Sequence, residues 1–383
     1  MNSGFVNFSF ERLKATVSVK HIEDEILQLT KDLIRIPSTS QRPEKITQCA
    51  DFITKWLDEN FIKYSRYDIN NVPSIAVLPS EKTGTKVLLM AHFDVVEVED
   101  EALFTPRVEN GRLYGRGAID DKYAVALSLL LFRNHLALLQ ERGLGQEDMC
   151  FGLLLTGDEE IGGRDGAGTV GEKIETDFFL ALDGGNPGLI VTKEKGILRI
   201  HLEATGKAAH AARPWLGRNA FDLLMDDYMA IKALFTEKNA DHWHKTVALT
   251  RCTAGNGSVN MIPGKAEAVL DIRYPERDDP DELLAAIEKV VTGKVTLQDS
   301  AAVFFGGESP FTDRLQKHTK GAVLGFEHGS SDARYLSERN VPGALWGAAG
   351  EMSQHTEEEH IVLDSLYFIF DRLDIFLRDT AET

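Results

Sequence analysis

The sequence predicts an α/β protein whose main domain is interrupted by a smaller α+β insert, and three observations carry that reading. The chain has 383 residues, more than one typical domain of roughly 150. Four apolar runs of strand length, at residues 74–78, 87–90, 151–155 and 178–182, are continuous enough for strands buried on both faces. From about Lys195 the pattern changes to strands and helices in the order of a separate compact unit.

Taken in order, residues 21–61 place apolar side chains at helical spacing: Ile22, Ile26, Leu29 and Leu33, then Ile46, Ile53, Trp56 and Leu57. The turn-like string PSTSQRP separates the two helices. Residues 124–132 form the longest apolar stretch, broken at Ser128 and followed by Arg133, which predicts a buried helix. The last three of the four apolar runs each soon reach His, Asp, Glu or Gly. Ligands of open α/β sheets collect beyond the carboxyl ends of strands, so these polar clusters are expected on one rim.

The insert reads as strand 197–205, helix 219–235, strands 246–250 and 266–273, helix 281–291 and strand 294–297. Ala268, Leu270 and Ile272 alternate with Glu267, Asp271 and Arg273, as when helices cover one sheet face and leave the other open. Arg273 then lies on the open face. Helices at 311–319 and 363–377 return to the first domain, giving expected boundaries of 1–194, 195–305 and 306–383.

Composition narrows the function classes. A formal net charge of −18 without a basic cluster argues against nucleic acid, which is gripped through clustered Lys and Arg. No stretch approaches the ~20 apolar residues of a membrane span. Residues 1–20 lack an apolar core and a cleavage site, which argues against secretion. The 3 cysteines, Cys49, Cys150 and Cys252, lie far apart and form neither a disulfide framework nor a CxxC pair, so a reducing cytoplasm is expected.

The residues able to carry chemistry follow in the order His92, Asp94, Asp120, Glu159, Glu160, Asp183 and His355. Imidazole with carboxylate suits zinc or a similar first-row ion, and the absence of cysteine ligands disfavours a closed structural zinc site. Each residue has a plainer reading. The acidic run 158–160 can be solvated turn charge, Asp183 can cap a turn with Gly184 and Gly185, and His360 competes with His355.

The strings AHFDVV, LYGRGAIDDK, TGDEEIGG, LDGG, GKAAHAARPWLGRNA, NMIPG and GSSDARYL, in this order, resemble metallopeptidase family 20. That family includes glutamate carboxypeptidase, acetylornithine deacetylase, succinyl-diaminopimelate desuccinylase and tripeptidases. The resemblance runs from about Glu23 onward. It implies a three-layer zinc-exopeptidase-like catalytic domain with an inserted lid and dimerisation domain. It also implies a homodimer and two divalent ions per subunit, Zn2+ first, with Mn2+ or Co2+ accepted by the same ligands.

Carried over residue by residue, the resemblance implies that Asp120 bridges the ions, with His92 and Asp183 completing one shell and Glu160 and His355 the other. Glu159 would be the general base toward a metal-bridging hydroxide, and Asp94 the carboxylate that orients His92. His210 corresponds to a histidine that reaches the partner's site, and Asn260, Arg273, Ser330 and Ser331 to substrate contacts. The implied reaction is hydrolysis of the amide bond of a peptide or N-acyl amino acid. A catalytically silent dimeric binding protein of the same fold is the alternative, and the intact Glu159 and ligand set favour the enzyme. Three features depart from the family pattern: the LDGG string lacks a Glu after Asp183, VEVEDE at 96–101 stands where a proline is common, and Tyr123 replaces a small residue.

Overall fold

The computed structural model describes residues 17–80 and 84–382, with side chains from His21. The amino-terminal stretch read for a secretion signal, residues 1–20, falls outside the described side chains. The chain forms two compact units. The first runs to Lys193 and resumes over Phe305–Phe326 and from Ser331 onward; the second comprises Glu194–Phe304 and Glu327–Ser330. The reading of residues 306–383 as one piece did not include the short excursion at 327–330.

The first unit is built on a mixed sheet. Its parallel centre pairs Phe151–Thr156, Gly84–His92, Glu175–Ala181 and Gly343–Leu345 in that spatial order. At one edge Val72–Val77 runs antiparallel to Phe151–Thr156 and carries Ser65–Ile69 outside it. Asn70 and Asn71 join these two edge strands with φ of 49° and 67°, the left-handed backbone that a two-residue hairpin loop requires. Beyond Gly343–Leu345 the sheet continues antiparallel into Leu189–Glu194. Five elements absent from the sequence reading enter the sheet: Ser65–Ile69, half exposed and polar, Gly343–Leu345, only three residues long, Leu189–Glu194, and the short Phe304–Phe305 and Val323–Glu327 beyond it.

Helix Lys122–Glu141 packs against Val17–Ile34, Leu363–Ala381 and the Gly84–His92 strand. Its side chains from Lys122 to Phe132 are all buried, so it is apolar all round because it is the core helix. Against the expectation that no stretch approaches a membrane span, it is long and apolar enough to cross one by length and composition, and its burial in this packing accounts for that composition. Pro43–Glu59 lies on Val72–Val77 and buries Ile46, Cys49, Ile53 and Leu57.

The second unit is a four-stranded antiparallel sheet in the order Thr246–Ala254, Lys265–Tyr274, Gly196–Thr205 and Lys294–Ala301. Leu198, Ile200, Leu202, Ala268, Leu270 and Ile272 form one core with residues of helices Ala220–Lys232 and Pro280–Val290. The alternate residues form an ionic lattice on the other face. Arg199 pairs with Asp271 at 3.1 Å and Asp299 at 3.0 Å, and Lys265 with Glu203 at 3.0 Å. The period-two alternation read from Ala266 to Arg273 is this division between helix-covered and open faces.

Candidate active site

The site of the first unit grows out of strand ends. Gly84–His92 ends on His92, Phe151–Thr156 leads through Gly157 and Asp158 into a tight turn bearing Glu159 and Glu160, and Asp183 follows Glu175–Ala181 by two residues. Parallel neighbours in register bring these ends to one rim: His92 lies opposite Thr156, and Met90 opposite Ala181. Asp120 immediately precedes Asp121, the cap of the core helix.

Asp120 is the hub. Its Oδ1 lies 3.0 Å from His92 Nε2, and its Oδ2 lies 3.0 Å from His355 Nε2. One carboxylate therefore presents each oxygen to a different imidazole. Glu160 Oε2 is 3.3 Å from His355 Nε2, and the ligand atoms of Asp120, Glu160 and His355 all lie within 4.8 Å of one another. His355 reaches the group from an exposed segment with φ 62°, a left-handed conformation that a non-glycine residue holds only when its surroundings dictate it. Glu159 Oε2 is 3.9 Å from His92 Nε2.

Asp94 is buried and does more than the sequence suggested. Its Oδ1 stands 3.4 Å from His92 Nδ1, whose close hydrogen-bond partner is the Asp94 carbonyl at 3.1 Å. The same carboxylate accepts the backbone N–H of Glu159 at 3.2 Å and of Glu160 at 3.0 Å. Asp94 thus ties the His92 strand to the turn carrying both glutamates. A second tie is ionic: buried Arg116 pairs with buried Glu359, which also accepts the N–H of Gly117 at 2.8 Å. That contact joins the segment entering Asp120 to the one leaving His355.

The electrostatics are those of an acid cluster short of positive charge. Burial pushes Asp183 up to about 6, raises Glu160, and lifts Glu159 well above the usual carboxylate range. Burial opposes ionisation of Asp120 too, but hydrogen bonds from His355 and His92 hold it below the ordinary value. His355 is raised to about 10 by its hydrogen bonds to Asp120 and Glu160. Asp183 Oδ1 is buried and has no hydrogen-bond partner. Crowded oxygen donors, two imidazoles and an orphaned carboxylate oxygen are what a divalent cation satisfies, so the residues present fit a metal centre.

Sequence reasoning passed over Asp332. It lies in the quoted string GSSDARYL, beside the chosen Ser330 and Ser331, and lines a small cavity with His92, Glu159 and Asp183. Both its oxygens are buried and unpaired, and burial pushes it up to about 7. Ser331 is buried, and its hydroxyl accepts the N–H of Ala333 at 3.3 Å.

The second unit holds the other expected residues. His210 is exposed, with Nδ1 accepting the N–H of Ala212 at 3.1 Å. Asn260 bonds Ser258 through its side chain, and its carbonyl accepts the N–H of Ala211 at 2.8 Å. Arg273 is engaged by Asp271, Nε to Oδ1 at 2.7 Å. Ser330 is half-buried.

A layered α/β domain with histidines and carboxylates gathered at its strand ends defines a hydrolase of the metal-dependent type. The chain belongs to the family described as Peptidase family M20/M25/M40, whose sequence model matches residues 88–378. It is 27% identical over 369 residues to a succinyl-diaminopimelate desuccinylase of Rhodospirillum centenum, covering 89% of this chain and 93% of the relative. A probable carboxypeptidase of Aspergillus clavatus is 28% identical, covering 89% and 85% respectively. Among solved structures, the M20 family metallo-carboxypeptidase Sso-CP2 of Sulfolobus solfataricus shares the fold. Its TM-score is 0.77 at 18% identity, with 94% of this chain and 100% of that chain covered.

Proposed function

We propose that the chain hydrolyses the amide bond of a peptide or N-acyl amino acid with two divalent metal ions, which Asp120 would hold together with His92, Asp183, Glu160 and His355. The observation that carries this is the placement of His92 Nε2 and His355 Nε2 at 3.0 Å from opposite oxygens of that one carboxylate. His92 and Asp183 would complete one shell, Glu160 and His355 the other. Zinc is the first choice for such donors, with manganese or cobalt compatible. When bound, the ions polarise the scissile carbonyl and make water a nucleophile near neutral pH.

Glu159 takes the proton of the attacking water and returns it to the leaving nitrogen. Its burial and raised proton affinity suit that exchange. Asp94 keeps the His92 ring and the Glu159–Glu160 turn in fixed relation. His210, exposed on the second unit, is offered to the site of a second copy, where it steadies the developing oxyanion in a homodimer. Asn260, Arg273, Ser330 and Ser331 are proposed to meet the substrate's polar end, Arg273 by binding a carboxylate. The relatives' names, a desuccinylase and a carboxypeptidase, support an amide substrate. Three free cysteines fit a cytoplasmic protein.

The test is hydrolysis of short peptides against acetylated and succinylated amino acids, before and after chelation. Turnover in one series that chelation abolishes and zinc, cobalt or manganese restores is the expected result. Turnover that survives complete metal removal refutes the proposal.

A further inference from the structure

Tyr123 is a departure from the family pattern, and the structure gives its bulk a purpose. It is the second residue of the core helix Lys122–Glu141 and 1% exposed. Its hydroxyl donates to the carbonyl of Leu182 at 2.5 Å and accepts the N–H of Ala348 at 2.9 Å. Leu182 shares its peptide bond with Asp183. One hydroxyl thus links the helix that starts two residues after Asp120 to the strand exit that carries Asp183.

Gly347 completes the arrangement. A Cβ there would sit 2.5 Å from both the Leu182 carbonyl oxygen and the Tyr123 hydroxyl, and 3.0 Å from the Gly184 carbonyl oxygen, so any side chain would force this contact to shift. The large residue at 123 and the missing side chain at 347 form one device.

We propose that Tyr123 is a positioning residue that sets the direction of Asp183 toward its metal ion. The orientation of the Leu182–Asp183 peptide plane fixes where the Asp183 side chain leaves the backbone, and the hydroxyl clamps that plane through its carbonyl. Removing the hydroxyl leaves the Leu182 carbonyl and the Ala348 N–H without this partner and frees the plane to tilt. Residues that support a metal ligand in this way typically change metal affinity by about 10–100-fold when lost. The inference rests on Asp183 being a ligand, as proposed above.

The test compares the full chain with Tyr123→Phe, Gly347→Ala and Tyr274→Phe. Each protein is stripped of metal, titrated with Co2+ by visible absorption, and melted. Tyr274 is a buried tyrosine of the second unit whose hydroxyl donates to Ala301 at 3.0 Å, so it controls for loss of a buried hydroxyl as such. The wild type should take two equivalents. Tyr123→Phe should keep one at wild-type affinity and bind the other at least about tenfold more weakly. Gly347→Ala, which crowds the Tyr123 hydroxyl and the Leu182 carbonyl alike with Tyr123 still present, should show the same selective loss should Tyr123→Phe fail to fold. Tyr274→Phe should melt lower with both equivalents intact. Wild-type affinity at both equivalents in Tyr123→Phe, or an equal weakening in Tyr274→Phe, overturns the positioning role. A wild type that takes no cobalt overturns the metal reading itself.

Discussion

Replacing Asp94 by Asn removes one charge while keeping the shape of the most connected side chain in the site. Asp94 is 1% exposed, and its two oxygens serve the N–H groups of Glu159 at 3.2 Å and Glu160 at 3.0 Å, with Oδ1 also 3.4 Å from His92 Nδ1. Asn offers one oxygen and one NH2, so whichever way it turns, one backbone N–H faces another donor. A hydrogen bond to a charged group contributes about 1.5–3 kcal/mol. At 1.4 kcal/mol per factor of ten, losing one corresponds to roughly 10–100-fold in whatever the turn supports. That range matches the usual effect of residues behind metal ligands. Asp94→Asn is therefore expected to weaken metal binding by about 10–100-fold and to lower kcat at saturating metal, because Glu159 and Glu160 move together. Metal titration of the stripped protein and steady-state rates at saturating metal measure both effects. Affinity and kcat within twofold of wild type would refute the claim that Asp94 organises the turn.

Glu159→Gln is expected to retain metal and lose about 10²–10⁴ in kcat, as removal of a general base does; near-normal turnover with full metal content would exclude Glu159 as the base. Gly163→Ala meets two obstacles, a φ of 62° and the carboxylate of Asp332 where the methyl would go. It should destabilise the protein by roughly 1–3 kcal/mol in urea unfolding, and an unchanged midpoint would show that the turn relaxes freely. Away from the site, burial would raise Asp374, but hydrogen bonds from His135 and Arg378 outweigh it and hold the carboxyl below its ordinary 3.8. A depressed carboxylate adds stability that is full above the ordinary value and lost as pH falls through the lower folded value. His135→Ala should accordingly lower the urea midpoint more at pH 6 than in acid where Asp374 is protonated in both folded and unfolded states, and an equal loss at both would show that the pairing does not depend on the Asp374 charge.

Periodicity made the apolar strands and the core helix legible because burial on both faces leaves no polar interruption, as in Val87–Met90 and from Ala124 to Phe132. Ser65–Ile69 was not legible, since an edge strand that is half exposed lacks that signature. Gly343–Leu345 is too short to show any period. In the site, nearly all the candidates follow a strand end or a glycine turn, and the resemblance to metallopeptidase family 20 then implied which of them are ligands. What joins them was hidden. Asp94 meets Glu159 across 65 residues, and Arg116 meets Glu359 across 243, separations at which a sequence carries no distance information. Tyr123 stood out only as an oddity, and its partners Leu182 and Ala348 lie 59 and 225 residues away. Asp332 was overlooked because a lone acid beside two serines looks like ordinary turn chemistry until its burial is known.

The central claim, that Asp120 joins two metal ions, is tested most directly by metal content per chain in the wild type and in Asp120→Ala, measured by elemental analysis after dialysis against trace zinc. Two equivalents in the wild type and fewer than one in the variant is the predicted result. An intact amidase holding one equivalent or none, or a variant that keeps both, would contradict it.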